Sequence, residues 1–420
     1  MRRENDNISL SGETVLARDV RLLFTTRILR MAGYGALAVI LGLYLAQLGF
    51  SEKKIGLLLT LTLIGDTAIS LWLTVVADRM GRRKVLIIGA GLMVLAGIGF
   101  VISTNWIVLL VTATIGVISP SGKEVGPFLS IEQAALSQVI SAQRRTHFFA
   151  WYNLVGSMAA AVGALCGGVF VDGLRRMGAG PLTSFKIVLG LYAATGIVLA
   201  AMFLLVSKHV EASVPEAQQT PVRMFLGLHE SRGIVARLSA LFALDAFGGG
   251  FVIDSIVALW FNLKFGLSLS QLGTIFFFTN FFAGFSGLVA ARLANRFGLI
   301  NTMVFTHLPS NILLMLVPAM PNAWSAIAVL LARFAISQMD VPTRQSYTMA
   351  VVRPEERSAA AGVTGVARTL GAAIAPVLAG PMLASARMMG WPFLIGGGVK
   401  IVYDLLLYRS FSKVKKEEHH

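Results

Sequence analysis

A chain of 420 residues with 55% hydrophobic and only 14% charged residues, and a mean hydropathy of +0.73, is not an ordinary soluble domain, in which roughly 25% of residues are charged. A formal net charge of +15 would suit nucleic acid, but the bases are sorted by side of a membrane rather than gathered in a patch, so no nucleic-acid partner is expected. Cys166 is the single cysteine, which excludes an intrachain disulfide and a cysteine-built metal site.

The opening MRRENDNISLSGETVLARDV is polar and runs into an apolar stretch too long for a signal peptide, so it is expected to be retained. A crossing needs about 20 apolar residues, because about 30 Å must be covered at about 1.5 Å per residue. Such runs cover residues 22–46, 55–76, 85–102, 106–139, 148–171 and 184–206, then 238–261, 269–293, 299–318, 323–351, 357–386 and 391–409. Twelve spans are therefore predicted, as an N-terminal tail (1–21), a six-helix bundle (22–206), a linker (207–236), a second bundle (237–410) and a tail (411–420). With both termini on one side, 22 of the 36 bases fall on that side, seven opposite and seven within spans. Both termini are thus expected in the cytoplasm.

After the second span comes VVADRMGRRKVL, a knot of charge between two apolar runs. Gly81 supplies a free turn between two helices. Asp78 can accept hydrogen bonds at the next helix start, and Arg82 and Arg83 prefer the cytoplasmic face. ADRMG at 77–81 is echoed by ANRFG at 294–298, with Asn295 and Arg296 in the second copy. Arg145 precedes GALCGG (163–168) by 18 residues, as Arg357 precedes APVLAG (375–380). Two landmarks with one shared spacing indicate a six-plus-six internal repeat.

Twelve spans, a duplicated half, cytoplasmic termini and this charged knot resemble the major facilitator superfamily of secondary transporters, over nearly the whole chain. The family pattern Gly-x-x-x-Asp-Arg-x-Gly-Arg-Arg/Lys reads here from Thr74 to Arg83, with Thr74 in place of the first glycine. The resemblance implies a gate in which Asp78 and Arg82 join an acid at the inner end of the fourth helix, best matched by Glu132. The alternative is a solvated hairpin without gating. GALCGG is similar to the family's antiporter motif Gly-Pro-x-x-Gly-Gly with Ala164 for proline, while APVLAG keeps Pro376 and Gly380. Gly163, Gly167 and Gly168 would let helices approach closely and rock, which by resemblance favours export; ordinary bundle packing is the alternative.

Charges deep in the spans are costly, at least about 2.5–3.5 kcal/mol each on insertion scales, and should face a cavity or a partner. Asp66, Arg333 and Arg368 fall near the midplane by helical rise. Arg30 and Asp245 hold roughly repeat-related positions with opposite sign, and Asp254 and Asp340 also lie below the headgroups. Asp66 leads the proton-coupling candidates, with Asp245 and Asp254 beside it; the alternative for Asp66 is an ion pair with Arg30 or a hydrogen bond to a neighbouring helix. Arg333 and Arg368 either orient an anionic substrate, together with Arg30, or neutralise Asp254 and Asp340. The fourth span holds SPSGKEVGPF (119–128), whose two prolines and two glycines should break the helix. Lys123 and Glu124 in that break, with Tyr34, complete the expected substrate cavity, although a solvated kink at the inner mouth is the alternative. Phe278, Phe281, Phe282 and Phe285 share a helical face expected to meet lipid or neighbouring helices.

No His-Glu-x-x-His, Gly-x-Ser-x-Gly or Walker-type run occurs. His147, His209, His229 and His307 have no ligand spacing, so neither enzyme, cofactor nor metal is expected. The expected function is alternating-access transport, as proton-coupled export of a small organic molecule or as exchange or import of an organic or phosphorylated anion. A non-transporting membrane sensor or scaffold is the other class. By family analogy the expected form is a monomer in a bacterial inner (plasma) membrane.

Overall fold

The computed structural model describes residues 2–139, 142–207, 230–353 and 356–411; within these, the side chains of 2–17, 78, 137–139, 142–147, 150, 291 and 358 are not described. The described chain is helical throughout. The first half comprises α1 (Arg2–Gln47), α2 (Glu52–Met80), α3 (Arg82–Ile102), α4 (Trp106–Ile115), α5 (Phe128–Val139), α6 (Ala142–Arg176) and α7 (Pro181–Leu204). The second comprises α8 (Arg232–Gly250), α9 (Asp254–Phe265), α10 (Leu269–Phe297), α11 (Leu299–Leu316), α12 (Ala323–Ser337), α13 (Asp340–Val351), α14 (Arg357–Leu383) and α15 (Trp391–Phe411). Much of the predicted linker, 208–229, lies outside the described residues.

Among the described residues, eleven helices are long and apolar enough to cross a membrane. The fourth crossing is assembled from the short α4 and α5 around the predicted break, which runs from Gly116 to Pro127. Gly122 and Gly126 there adopt φ of +63° and +78°, left-handed values that favour glycine. Two more crossings are interrupted: α8 gives way to α9 over 251–253, and α12 to α13 over Gln338 and Met339.

The repeat is visible in the backbone. Gly81, between α2 and α3, and Gly298, between α10 and α11, have φ of +97° and +85° and close equivalent hairpins 217 residues apart. The outward faces carry apolar side chains such as Trp72, Val75 and Leu191, as a lipid-facing surface requires. Cys166 is free and exposed on such a face, and Phe278 and Phe285 are exposed, the first stacked on Phe282 and the second tilted against Phe281.

The halves meet where small residues let backbones touch. A Cβ at Gly168 of α6 would come within 2.1 Å of the Leu269 carbonyl oxygen of α10, and one at Gly56 of α2 within 2.3 Å of the Pro376 carbonyl oxygen of α14. Gly380 meets Glu52, and Gly42 of α1 meets Ser255 of α9. All four contacts lie toward the face opposite the termini. Gly362 and Gly365, at the other end of α14, have no neighbour that a Cβ would meet. The halves are therefore in close backbone contact toward the far face.

Candidate functional site

Five hydrogen bonds, at three places, join the two halves toward the far face. Asp172 of α6 accepts from the Ser270 backbone N–H (2.8 Å) and from its hydroxyl. Thr60 Oγ1 of α2 accepts from the Val377 N–H of α14 at 2.9 Å. Ser255, at the start of α9, donates its N–H to Pro120 (3.1 Å) and its hydroxyl to Ala38 (2.9 Å). The last contact joins the break of the fourth crossing to the break of the seventh.

In the first half, Arg30 of α1 is fully buried and binds Glu132 of α5 with two parallel bonds of 2.8 Å, while its Nε donates to Glu124 at 2.8 Å. Tyr152 of α6 donates to the second Glu132 oxygen at 2.5 Å. Arg27 pairs with Glu124 at 3.0 Å and lies over the Tyr152 ring. A forked arginine–carboxylate pair is among the stronger polar contacts available inside a protein.

Three expectations are corrected here. Glu132 lies one turn into α5 on its buried side and is taken by Arg30 and Tyr152, so it is not the gate acid for the 78–83 knot. Arg30 is saturated by Glu124 and Glu132, so it neither pairs with Asp66 nor lines an open cavity. Tyr34 is likewise buried, its hydroxyl donating to the Val125 carbonyl at 3.2 Å, which removes it from the cavity wall. Of the knot itself, Arg82 is buried and Arg83 donates to the Leu204 carbonyl at the end of α7 (2.5 Å). Thr74, standing for the family glycine, hydrogen-bonds Ser130 of α5 at 3.0 Å. The Asp78 side chain lies outside the described residues, and Asn295 and Arg296 in the second copy are exposed.

The second half holds a matching network with its signs exchanged. Asp245 of α8 accepts from Lys400 of α15 (2.5 Å) and Arg344 of α13 (3.1 Å), and Arg344 also binds Asp340 at 2.9 Å. His307 of α11 lies 2.8 Å from Asp404 and 3.8 Å from Asp245, and Asn311 donates to Asp404 at 2.9 Å. Asp245 and Asp340 are therefore buried anions held by cationic partners in this conformation. Arg344, Lys400, His307 and Asp404 were missed by sequence reasoning. The signal available was the i, i+4 spacing of Asp340 with Arg344 and of Lys400 with Asp404 inside apolar runs.

Between the two networks, Lys123, Asp254, Arg333 and Arg368 lie near enough for their charges to act on one another in part. Lys123, in the fourth-crossing break, is accessible although deep within the molecule, and interacts electrostatically with Asp254, Arg333, Arg368 and Lys400. Asp254 is half-buried at the start of α9 and feels Lys123 and Arg333. Arg333 of α12 is 8% exposed, and the Nε atoms of Arg333 and Arg368 have no hydrogen-bond partner. Among the described residues none of the four is in a salt bridge. The expected pairing of Arg333 and Arg368 with Asp254 and Asp340 is thus not made: Asp340 is taken by Arg344, and Asp254 makes no salt bridge with either. An accessible lysine and two arginines with free donors can hold an anion by charge and by forked hydrogen bonds.

Asp66 of α2 borders the same break from behind. Its Oδ1 accepts from the Gly126 N–H at 2.7 Å and from Ser70 at 3.2 Å, so the carboxylate braces the irregular backbone that carries Lys123 and Glu124. The small residues of the repeated motif also have defined seats. Gly163 and Gly167 face Ala32 and Ala36 of α1, Gly168 faces α10, and Pro376 and Gly380 face α2.

Comparison with known proteins places this architecture. The chain is 32% identical over 433 aligned positions, with 96% of each chain covered, to the uncharacterized membrane protein YJR124C of Saccharomyces cerevisiae. Its structure is similar to that of the nucleoside transporter NupG as the D323A mutant (TM-score 0.74, 14% identity, 94% of this chain and 99% of that one). It is also similar to a bacterial homolog of the human lysosomal transporter Spinster in an inward-facing, unoccupied conformation (0.71, 15%, 95% and 98%). A third likeness is to a D-xylose-proton symporter (0.69, 14%, 96% and 99%). The family model of the Major Facilitator Superfamily matches residues 23–376 and 241–419, and the chain is a member of that superfamily of membrane transporters.

Proposed function

We propose that the protein is a proton-coupled secondary transporter of a small organic anion, working by alternating access. The observation that supports this is the set of Lys123, Arg333 and Arg368 between the two networks, with none of the three in a salt bridge among the described residues and the Nε atoms of both arginines without a hydrogen-bond partner. Arginines with unused donors in a membrane interior are costly unless a ligand or water meets them. The close contacts toward the far face fit one end-state of a rocking cycle. With the termini in the cytoplasm, as the charge distribution favours, this is the inward-facing state. The membrane is proposed to be a plasma membrane; the relative matched over 96% of its length is a yeast membrane protein.

Export of a small organic molecule against protons is a second reading, supported by the close seats of Gly163, Gly167 and Gly168 in the motif that resembles the antiporter pattern. A thermal-shift screen separates the two. Anionic metabolites should stabilise the protein, and Arg333→Gln should remove the effect. Stabilisation by lipophilic cations alone would favour the second.

A further inference from the structure

The second half carries a pocket of about 550 Å³ at its far end, on the face opposite the termini. That volume lies within the range of about 300–1,000 Å³ that suits a small ligand. Its walls come from three places that the fold brings together: the end of α9, the 3-10 turn Val317–Ala319 that closes α11, and the connection from α14 into α15. Gly390 permits that meeting, because a Cβ there would stand 2.9 Å from the Pro318 Cβ.

The side-chain N–H groups of the wall are donors without enough acceptors. Lys264 lies over the Trp260 ring at 4.9 Å and the Phe265 ring at 5.2 Å, which holds its ammonium at the pocket. One of its N–H groups goes to the Pro318 carbonyl at 2.5 Å, and an ammonium has two more to give. Arg387 joins the wall from the α14–α15 connection, and among the described residues no carboxylate lines the pocket. Trp260 is fully buried in the same wall, and its indole N–H has no acceptor among the described residues. A buried indole N–H can only donate and ordinarily finds a partner.

The rim is apolar and faces outward. Leu263, Trp391 and Leu394 line the pocket and are 40%, 47% and 36% exposed. They stand in the last turn of α9 and the first turn of α15, where spanning helices leave the hydrocarbon for the headgroup layer and tryptophan is enriched. A ligand seated here meets two cations at one end and lipid-facing apolar side chains at the other.

We propose that this pocket binds an anionic phospholipid of the far leaflet, its phosphate held between Lys264 and Arg387 against the Trp260 indole and its acyl chains laid along Leu263 and Leu394. Arg387 can give the phosphate oxygens a forked pair of hydrogen bonds. A choline or ethanolamine headgroup would bring a further cation beside Lys264 and Arg387, so an uncharged glycerol headgroup is preferred. The bound lipid ties α9 and α14, which meet the first half at Gly42 and Gly56, to α11 and α15. The site holds whatever solute the carrier moves.

The test is titration of the purified full-length protein, stripped of lipid in a neutral detergent, with dioleoyl phosphatidylglycerol, dioleoyl phosphatidylcholine and glycerol 3-phosphate, read by native mass spectrometry and by thermal unfolding. The expected result is one saturable phosphatidylglycerol site, at least about tenfold tighter than phosphatidylcholine, that glycerol 3-phosphate does not compete for. Lys264→Gln combined with Arg387→Gln should weaken phosphatidylglycerol on the order of tenfold or more and remove the rise in unfolding temperature that it gives. Both side chains are exposed, so the lipid-free variant should unfold where the parent does. Leu394→Glu keeps both bases and puts a negative charge on the rim; it should weaken the lipid as well, and it reads the site should the double variant unfold. Equal binding of the two lipids, or phosphatidylglycerol affinity unchanged in these variants, overturns the proposal. Displacement of the lipid by glycerol 3-phosphate would make this a site for a soluble phosphate and overturn the lipid as its occupant.

Discussion

Arg30 and Asp245 hold corresponding places in the first crossing of each half and carry ion pairs of opposite polarity. Arg30 binds Glu132 in the fourth crossing, and Asp245 binds Arg344 in the tenth. Each half is thus pinned internally, first crossing to fourth, by a charge pair out of contact with lipid. What is left unpinned is the set of charges between the halves. That division separates groups that hold each bundle rigid from groups free to meet a solute.

Glu132→Gln leaves Arg30 buried with half its counter-charge, and breaking such a pair costs about 3–5 kcal/mol. Thermal unfolding in detergent should show a marked loss of stability. The double variant Arg30→Met with Glu132→Leu should be less destabilised than Glu132→Gln, because no buried charge is stranded. A near-neutral Glu132→Gln would mean that the pair is solvated.

Asp172 binds both the N–H and the hydroxyl of Ser270 across the halves. Hydrogen bonds to a charged group contribute about 1.5–3 kcal/mol each, so Asp172→Ala should move the equilibrium toward opening of the far face by roughly tenfold or more. Spin labels at Arg176 and Gln271, both exposed, should gain a population at longer separation. An unchanged distance distribution would remove Asp172 from the seal.

Gly168→Val puts a side chain where the Leu269 carbonyl already stands 2.1 Å from an ideal Cβ. The far face should fail to close, the same label pair should report the open form, and transport should fall by at least about tenfold, since backbone contact here depends on small residues. Normal flux in Gly168→Val would show that the helices tolerate wider spacing.

Asp66→Asn keeps an oxygen for the Gly126 N–H, so the fold and the proton uptake that accompanies anion binding should persist. Asp66→Leu strands that N–H, a cost of about 1–3 kcal/mol, and should weaken anion binding by roughly tenfold by loosening the backbone beneath Lys123. Loss of proton uptake in Asp66→Asn would return the coupling role to Asp66.

The sequence made the twelve crossings, the repeat and the break at 119–128 legible, because apolar run length, paired landmarks and Pro/Gly density each act locally. Depth along a helix also singled out Arg333, which is buried in α12. Partners were not legible. Glu132 seemed to belong to the 78–83 knot by position, yet the helix restarts at Phe128 and turns that side chain toward α1. Arg344 was not singled out at all, and it meets Asp245 from α13, beyond the interruption at Gln338 and Met339. His307 had no ligand spacing in the chain, and its partners Asp404 and Asn311 arrive through packing of α11 on α15 and within one turn of α11. Pairing across helices depends on rotation about each helix axis, which a single sequence does not report.

The central claim is that Lys123, Arg333 and Arg368 hold an organic anion in a chamber that opens to each side in turn. Flux of radiolabelled succinate and phenyl phosphate into proteoliposomes, with and without an imposed pH gradient, tests it most directly. The account predicts accumulation of at least one of these anions, accelerated by a proton gradient in the same direction and lost in Arg333→Gln and Lys123→Met. Transport of lipophilic cations in place of anions, or anion flux that is untouched in both variants, would contradict it.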